Sequence, residues 1–298
     1  MTANGSGLGD SIVPLVTPLT ATEDLDERSL RRLIAFHAAH GTQGIMVLGT
    51  CGEGAGLRGC VKERLLECAL EAAGELPVLA AISETASRRA AEGVRRLPKG
   101  IAGILLMPPT FLFATAEREH VDHVERAVDA WGAPVVLYNL PSRTGGHAIP
   151  PAAIRCLLER GAVNGIKESS GNMSYLGEVL ALRRDFPAFR VMNGDLAKAG
   201  EALLLGAQGL ITSYTNVDPA GCLEQIAAAR RNDRAEVERL QAKFRAVRSH
   251  FAPSTSAAAW TKAVLAALGL CDARCCVPTE VPAPVLPEAL AAYRQSSA

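Results

Sequence analysis

The sequence predicts a closed (β/α)8 TIM-type barrel followed by a C-terminal helical extension. Three observations lead there. Short apolar runs alternate with amphipathic segments almost from end to end, which is the pattern of βα units and a parallel sheet. Eight such runs occur, about thirty residues apart. Eight strand–helix units of that size total roughly the 250 residues of a typical barrel, within a chain of 298.

In order, the strand candidates are "SIVPLVTP" (11–18), "GIMVLG" (44–49), "PVLAAIS" (77–83), "GILLMPP" (103–109), "PVVLYNLP" (134–141), "VNGIKES" (163–169), "FRVMNGD" (189–195) and "GLITSY" (209–214). Between them lie helical patterns such as "ERSLRRLIAFHAAHG", "KERLLECALEAAG" and "EREHVDHVERAVDAWG". Each of these three ends in the glycine expected just past a helix terminus. An open doubly wound sheet shares the alternation but wants a glycine-rich first βα turn. The loop after the first run, "LTATEDLD", contains no glycine. Past residue 218 the strands stop, and helices are expected over about 219–230, 233–250, 256–268 and 286–296. The first closes the barrel, so the expected division is a barrel over 8–230 and a helical appendix packed on it over 231–298. Neither an internal repeat beyond the βα period nor a low-complexity linker interrupts the chain.

Lysine plus arginine and aspartate plus glutamate number 31 each, so no long-range field favours nucleic acid or an anionic membrane. Small, near-neutral substrates are the expected partners. The start "MTANGSGLGDS" has neither a basic nor an apolar leader region, and nowhere do eighteen apolar residues run together. A cytoplasmic location is expected. Most of the eight cysteines sit inside apolar patterns, where a free thiol behaves as a small hydrophobe. "CDARCC" (Cys271, Cys275, Cys276) lacks the spacing of a zinc site and reads as packing. His120 and His123, with Glu117 and Glu119, read as a solvated helix face rather than metal ligands. Neither a metal nor a nucleotide cofactor is implied.

Reactive groups of such barrels sit where strands end, at the carboxyl face. Lys167 lies late in the sixth strand, whereas Lys62, Lys99, Lys198, Lys243 and Lys262 fall in helix or loop patterns where solvation is easy. A lysine turned into a barrel loses its hydration shell and must be neutral, paired or used. A neutral amine attacks carbonyl carbon, the basis of Schiff-base catalysis. Taken alone, a strand-end lysine is more often a snorkelling or ion-paired group, with Glu168 as one candidate partner. Tyr138 ends the fifth strand; neighbouring strands lie roughly 5 Å apart, so its phenol and the Lys167 amine can converge. A phenol beside an imine can relay protons. A tyrosine capping the core is the bland reading. After the second strand, "GTCGEG" (49–54) places Gly49 and other glycines around Thr50 and Cys51. Their backbone N–H groups can form an anion cradle for a keto-acid carboxylate. In "PSRTGG" (141–146), Arg143 offers a planar fork for a second carboxylate or polar tail.

"GTCGE", "YNLPSRTG" and "GIKESSGN", in that order and separated by whole βα units, resemble the dihydrodipicolinate synthase / N-acetylneuraminate lyase family of pyruvate-dependent class I aldolases. The likeness covers about residues 11–216 and extends to the C-terminal helices. It implies that Lys167 is the Schiff-base lysine, Tyr138 and Thr50 the proton relay, and Thr50 with Cys51 the carboxylate cradle. By the same resemblance, Ile211 lies against the bound keto acid, and Gly194 and Asp195 fall where some relatives hold the distal part of the substrate. Arg143 matches the arginine that holds the carboxylate of aspartate semialdehyde in synthases of the family. Homotetramers, or at least homodimers, are implied.

Departures matter too. Cys51 replaces a second threonine, and Thr110 in "PPTF" stands where synthases place the tyrosine that completes a neighbouring subunit's relay. Pro109 replaces a tyrosine of the lysine effector site, so feedback inhibition by lysine is not expected. These departures favour an aldolase or lyase acting on pyruvate or a 2-keto-3-deoxy acid, with an aldehyde as second partner. Other readings are 4-hydroxy-tetrahydrodipicolinate synthesis from pyruvate and aspartate semialdehyde, a dehydratase or deaminase using the same lysine, or a non-catalytic keto-acid binder.

Overall fold

The computed structural model describes residues 8–276, together with Pro287 and Ala291. Eight strands lie in chain order in one parallel sheet: β1 (Val13–Pro14), β2 (Ile45–Val47), β3 (Val78–Ile82), β4 (Gly103–Leu106), β5 (Val135–Asn139), β6 (Val163–Glu168), β7 (Arg190–Asn193) and β8 (Gly209–Leu210). A bridge between Ser11 and Leu210 closes the ring. There the Ile12 N–H donates to the Leu210 carbonyl at 3.1 Å, and the Leu210 N–H to the Asp10 carbonyl at 2.8 Å. The fold is the (β/α)8 barrel that the alternation predicts.

The strands are shorter than the apolar runs that contain them. In "SIVPLVTP" only Val13 and Pro14 are laddered. Farther on, the Val16 N–H donates to the Asn216 side-chain oxygen at 3.1 Å instead of to a strand. Apolarity marks burial, and burial continues into the loops that cover the barrel ends.

Helices α1 (Glu27–Ala39), α2 (Gly59–Ala72), α3 (Ser87–Arg95), α4 (Glu117–Trp131), α5 (Pro151–Glu159), α6 (Met173–Ala181), α7 (Ala199–Leu205) and α8 (Pro219–Arg230) follow the strands in turn. Local signals set their ends. Asp26 caps α1 by accepting the Ser29 N–H, and Gly132 in the left-handed region (φ +79°) stops α4. Strand residues alternate between two cores, as the two-residue period requires. Met46, Leu79, Leu105, Val136, Tyr138, Met192 and Ile211 fill the barrel, while Ile104, Leu137, Ile166 and Val191 pack outward against helices.

Helices α9 (Arg234–Ser249) and α10 (Ala257–Ala267) come last among the described elements. Tyr214, Phe244 and Trp260 fill the space between α8, α9, α10 and the barrel, with the Tyr214 and Phe244 rings 4.1 Å apart. The helix expected over 286–296 lies outside the described residues except for Pro287 and Ala291, both helical. Among the described residues no helix is long and apolar enough to cross a membrane.

Two expectations from helical pattern are corrected here. His120 and His123 do not face solvent; both are buried. His123 Nε2 lies 3.0 Å from the Met107 carbonyl and Nδ1 2.9 Å from Ser87 Oγ. Because a carbonyl only accepts, Nε2 carries the proton and Nδ1 accepts from the serine. Nor are Lys243 and Lys262 easily solvated. Lys243 is nearly buried, 2.8 Å from Asp218, and Lys262 is fully enclosed.

Candidate active site

Tyr138 and Lys167 are directly paired across β5 and β6. Both side chains point into the barrel, because Ile166 and Glu168 on either side of Lys167 point out. Lys167 is 3% exposed and its Nζ sits 4.1 Å from the centroid of the Tyr138 ring. No carboxylate pairs with it among the described residues. Glu168, the candidate partner, is on the opposite face: it accepts from Asn139 Nδ2 at 3.0 Å and from the Ser170 N–H at 2.7 Å. Burial raises the Glu168 carboxyl above its ordinary range, against the pull of those hydrogen bonds.

Room for the lysine stem comes from Gly194. A methyl group there would stand 2.9 Å from Lys167 Cε and 2.0 Å from Ser169 Oγ, so any side chain would push into the stem. Asp195, next in the chain, turns to its own loop and accepts the Lys198 N–H at 2.9 Å. Burial raises its carboxyl, and it forms neither a hydrogen bond nor an ion pair with Lys167. Ile211 is fully buried in the interior core, its N–H bonded to the Asn193 carbonyl at 2.8 Å.

After β2 the chain makes a tight turn through Gly49–Gly54. Leu48 and Glu53 bracket it in the left-handed region, with φ +62° and +56°. Gly54 is forced by space, since a Cβ there would lie 2.0 Å from the Leu48 carbonyl oxygen. The turn brings Thr50 Oγ1 to 3.1 Å from the Tyr138 hydroxyl. Among the described residues, no protein acceptor takes up the N–H of Thr50 or of Cys51. Two unused donors on a glycine-bracketed turn are available to bind an anion. The Cys51 thiol is buried, which pushes it up to about 11.

A cavity of about 410 Å³ opens over the mouth, lined in part by Gly49, Thr50, Met107, Thr110 and Arg143. Arg143 lies in a short 3-10 turn, Pro141–Arg143. It is exposed and its guanidinium has no ion pair among the described residues. Cys51, Tyr138, Lys167, Gly194, Asp195 and Ile211 do not line it; Thr50, which does, is the link to Tyr138.

Sequence reasoning missed part of this. Ser83 and Met107, both on the wall, stand at the ends of the third and fourth apolar runs, where the strand-end rule could have found them. Ser256–Ala258 and Cys276 line the same cavity, and nothing local marks them. "CDARCC" does more than pack, because the Cys276 N–H donates to Glu53 Oε2 at 2.7 Å.

Many enzymes are built on a barrel of this kind; the Schiff-base-forming class I aldolases, which are lyases, use a lysine amine as nucleophile. Within that class the chain belongs to the dihydrodipicolinate synthetase family, whose model matches residues 7–289. It is 34% identical over 275 residues to a 4-hydroxy-tetrahydrodipicolinate synthase of Acidobacterium capsulatum, covering 90% of this chain and 88% of that one. A protein of the same name from Pseudomonas syringae pv. syringae is 36% identical over 233 residues, 76% of this chain and 77% of that one. Among solved structures, dihydrodipicolinate synthase from Bacteroides thetaiotaomicron superposes with a TM-score of 0.87 at 29% identity, covering 96% of this chain and 98% of that chain.

Proposed function

We propose that the protein is a pyruvate-type class I aldolase or lyase in which Lys167 bonds covalently to a 2-keto acid. One observation carries this reading: the enclosed Lys167 nitrogen 4.1 Å from the Tyr138 ring, whose hydroxyl is 3.1 Å from Thr50. In its neutral form the amine attacks C2 of the keto acid to give a carbinolamine. The Tyr138 phenol, exchanging its proton with Thr50, protonates the departing hydroxyl, and water leaves. The iminium is an electron sink. Loss of a proton or of an aldehyde from C3 gives the enamine, which adds a proton or another aldehyde at the same carbon, and water then frees Lys167. The carboxylate of the keto acid is held by the Thr50 and Cys51 N–H groups. Ile211 packs against the keto acid, Gly194 keeps the lysine stem clear, and Asp195 borders the distal end.

Arg143 selects an acceptor or leaving fragment bearing an acid or several hydroxyls. Thr110, in place of a phenol, favours a 2-keto-3-deoxy acid as substrate. The names carried by relatives at 34% and 36% identity favour a second reading, condensation of pyruvate with aspartate semialdehyde.

Incubation with pyruvate and borohydride, then digestion, should place a reduced three-carbon adduct on the peptide that holds Lys167. Lys167→Ala should gain none. Full turnover by Lys167→Ala would end the mechanism. Pyruvate release from a panel of 2-keto-3-deoxy acids, set against pyruvate consumption with aspartate semialdehyde, separates the two readings.

Self-association into a homodimer or homotetramer belongs to the same proposal, supported by the exposed Phe111 and Leu112 beside the mouth, 74% and 68% accessible. Light scattering in solution tests it. A cytoplasmic setting is supported by eight unpaired cysteines.

A further inference from the structure

Glu53 poses a physical problem. It sits in the left-handed region at φ +56°, a conformation that costs a side-chain-bearing residue energy and persists only where its surroundings hold it there. Its carboxylate is the holding point. Oε1 accepts from Lys262 Nζ at 2.5 Å and Oε2 from the Cys276 N–H at 2.7 Å, while Lys262 gives a second bond to the Arg274 carbonyl at 2.7 Å. The two side chains are 0% and 4% exposed. Removing both charges from water is expensive, and a well-packed apolar pair of similar volume is often at least as stable. A buried pair of this kind is therefore weak evidence for a stabilising role.

Glu53 belongs to the turn that carries Thr50. The Glu53 N–H donates to the Thr50 carbonyl at 3.2 Å, and the Gly54 N–H to the Gly49 carbonyl at 3.2 Å. From the other side, Thr17 Oγ1 donates to the Gly52 carbonyl at 2.7 Å. A chain of direct contacts thus runs from α10 through Lys262 and Glu53 to Thr50, and from Thr50 Oγ1 to the Tyr138 hydroxyl.

We propose that Lys262 and Glu53 are positioning residues: their buried ion pair uses helix α10 to hold the Thr50 hydroxyl at the Tyr138 phenol. This rests on the reading of Thr50 and Tyr138 as the proton relay. Neither charge touches the reacting atoms; both act through the turn.

The test compares Glu53→Gln, Lys262→Met and the double variant, each in the parent and in the Thr50→Ala background. The double variant removes both charges at once and is the safeguard for folding. The readout is the rate at which Lys167 gains a reduced adduct with saturating pyruvate and cyanoborohydride, at a temperature where each protein is folded by circular dichroism. In the parent background the double variant should lose tenfold or more. With Thr50→Ala already present it should lose less than threefold, since there is no hydroxyl left to misplace. A loss under tenfold in the parent background, or an equal loss in both backgrounds, overturns the proposal. So does failure of all three variants to fold, which assigns the pair to stability alone. Absence of any adduct in the parent protein would instead overturn the aldolase reading.

Discussion

Tyr138→Phe removes one oxygen and leaves everything else at the site in place. The ring is 2% exposed and keeps its packing, including the face 4.1 Å from Lys167 Nζ. What is lost is the 3.1 Å hydrogen bond to Thr50, with a net cost to stability of about 1 kcal/mol. Thr50 is only half-buried and can turn to water, which holds the cost to that scale; against a typical domain stability of roughly 5–15 kcal/mol the variant stays folded. The rate responds differently. A positioned general acid–base group contributes about 10²–10⁴-fold, equivalent to about 3–5 kcal/mol of barrier. Because the amine itself is untouched, adduct formation with pyruvate and cyanoborohydride, followed by intact-mass spectrometry, should reach the parent's final stoichiometry but about a hundredfold or more slowly. A rate within fivefold of the parent would refute the role given to the phenol.

Gly194→Ala should crowd the lysine stem through the 2.9 Å contact with Cε and slow adduct formation about tenfold, with a stability loss of roughly 1–3 kcal/mol; Gly177→Ala, whose Cβ meets nothing within 4 Å, is the matched control and should leave the rate unchanged. Arg143→Ala should leave the unfolding free energy within about 0.5 kcal/mol and the adduct rate with pyruvate intact. It should raise KM for an anionic acceptor or sugar acid roughly ten- to a hundredfold, and an unchanged KM would remove Arg143 from substrate binding. Burial holds His123 at about 4, against an ordinary 6.5. Below pH 6.5 the unfolded chain therefore takes up a proton that the folded protein refuses until about pH 4. Stability fully present above the upper value is lost as pH falls through this window, by roughly 2 kcal/mol on reaching pH 5. Urea unfolding of His123→Gln should show a drop between pH 7 and 5 that is smaller by about that amount, and equal drops in both proteins would contradict the assignment.

Much of the site follows from local pattern. Periods of two and 3.6 residues, read along the chain, give eight βα units, and in a closed parallel ring consecutive strands are neighbours. Two residues near the carboxyl ends of the fifth and sixth runs must then meet, and Tyr138 and Lys167 are register partners. The Gly49–Gly54 turn is equally legible, because only glycine fits where backbone approaches backbone. Tertiary structure decided the charges. Lys243 belongs to a helix rich in charge, Lys262 is a lone charge in the apolar helix "AAAWTKAVLAA", and His120 and His123 lie on a helix that looks polar on that side. Whether such groups meet water depends on what lies across from them, and the Glu53 carboxylate that receives Lys262 is 209 residues away in the chain. Hydrophobic periodicity is a property of one segment. The solvation of an ion is a property of the space between segments, and only folding defines that space.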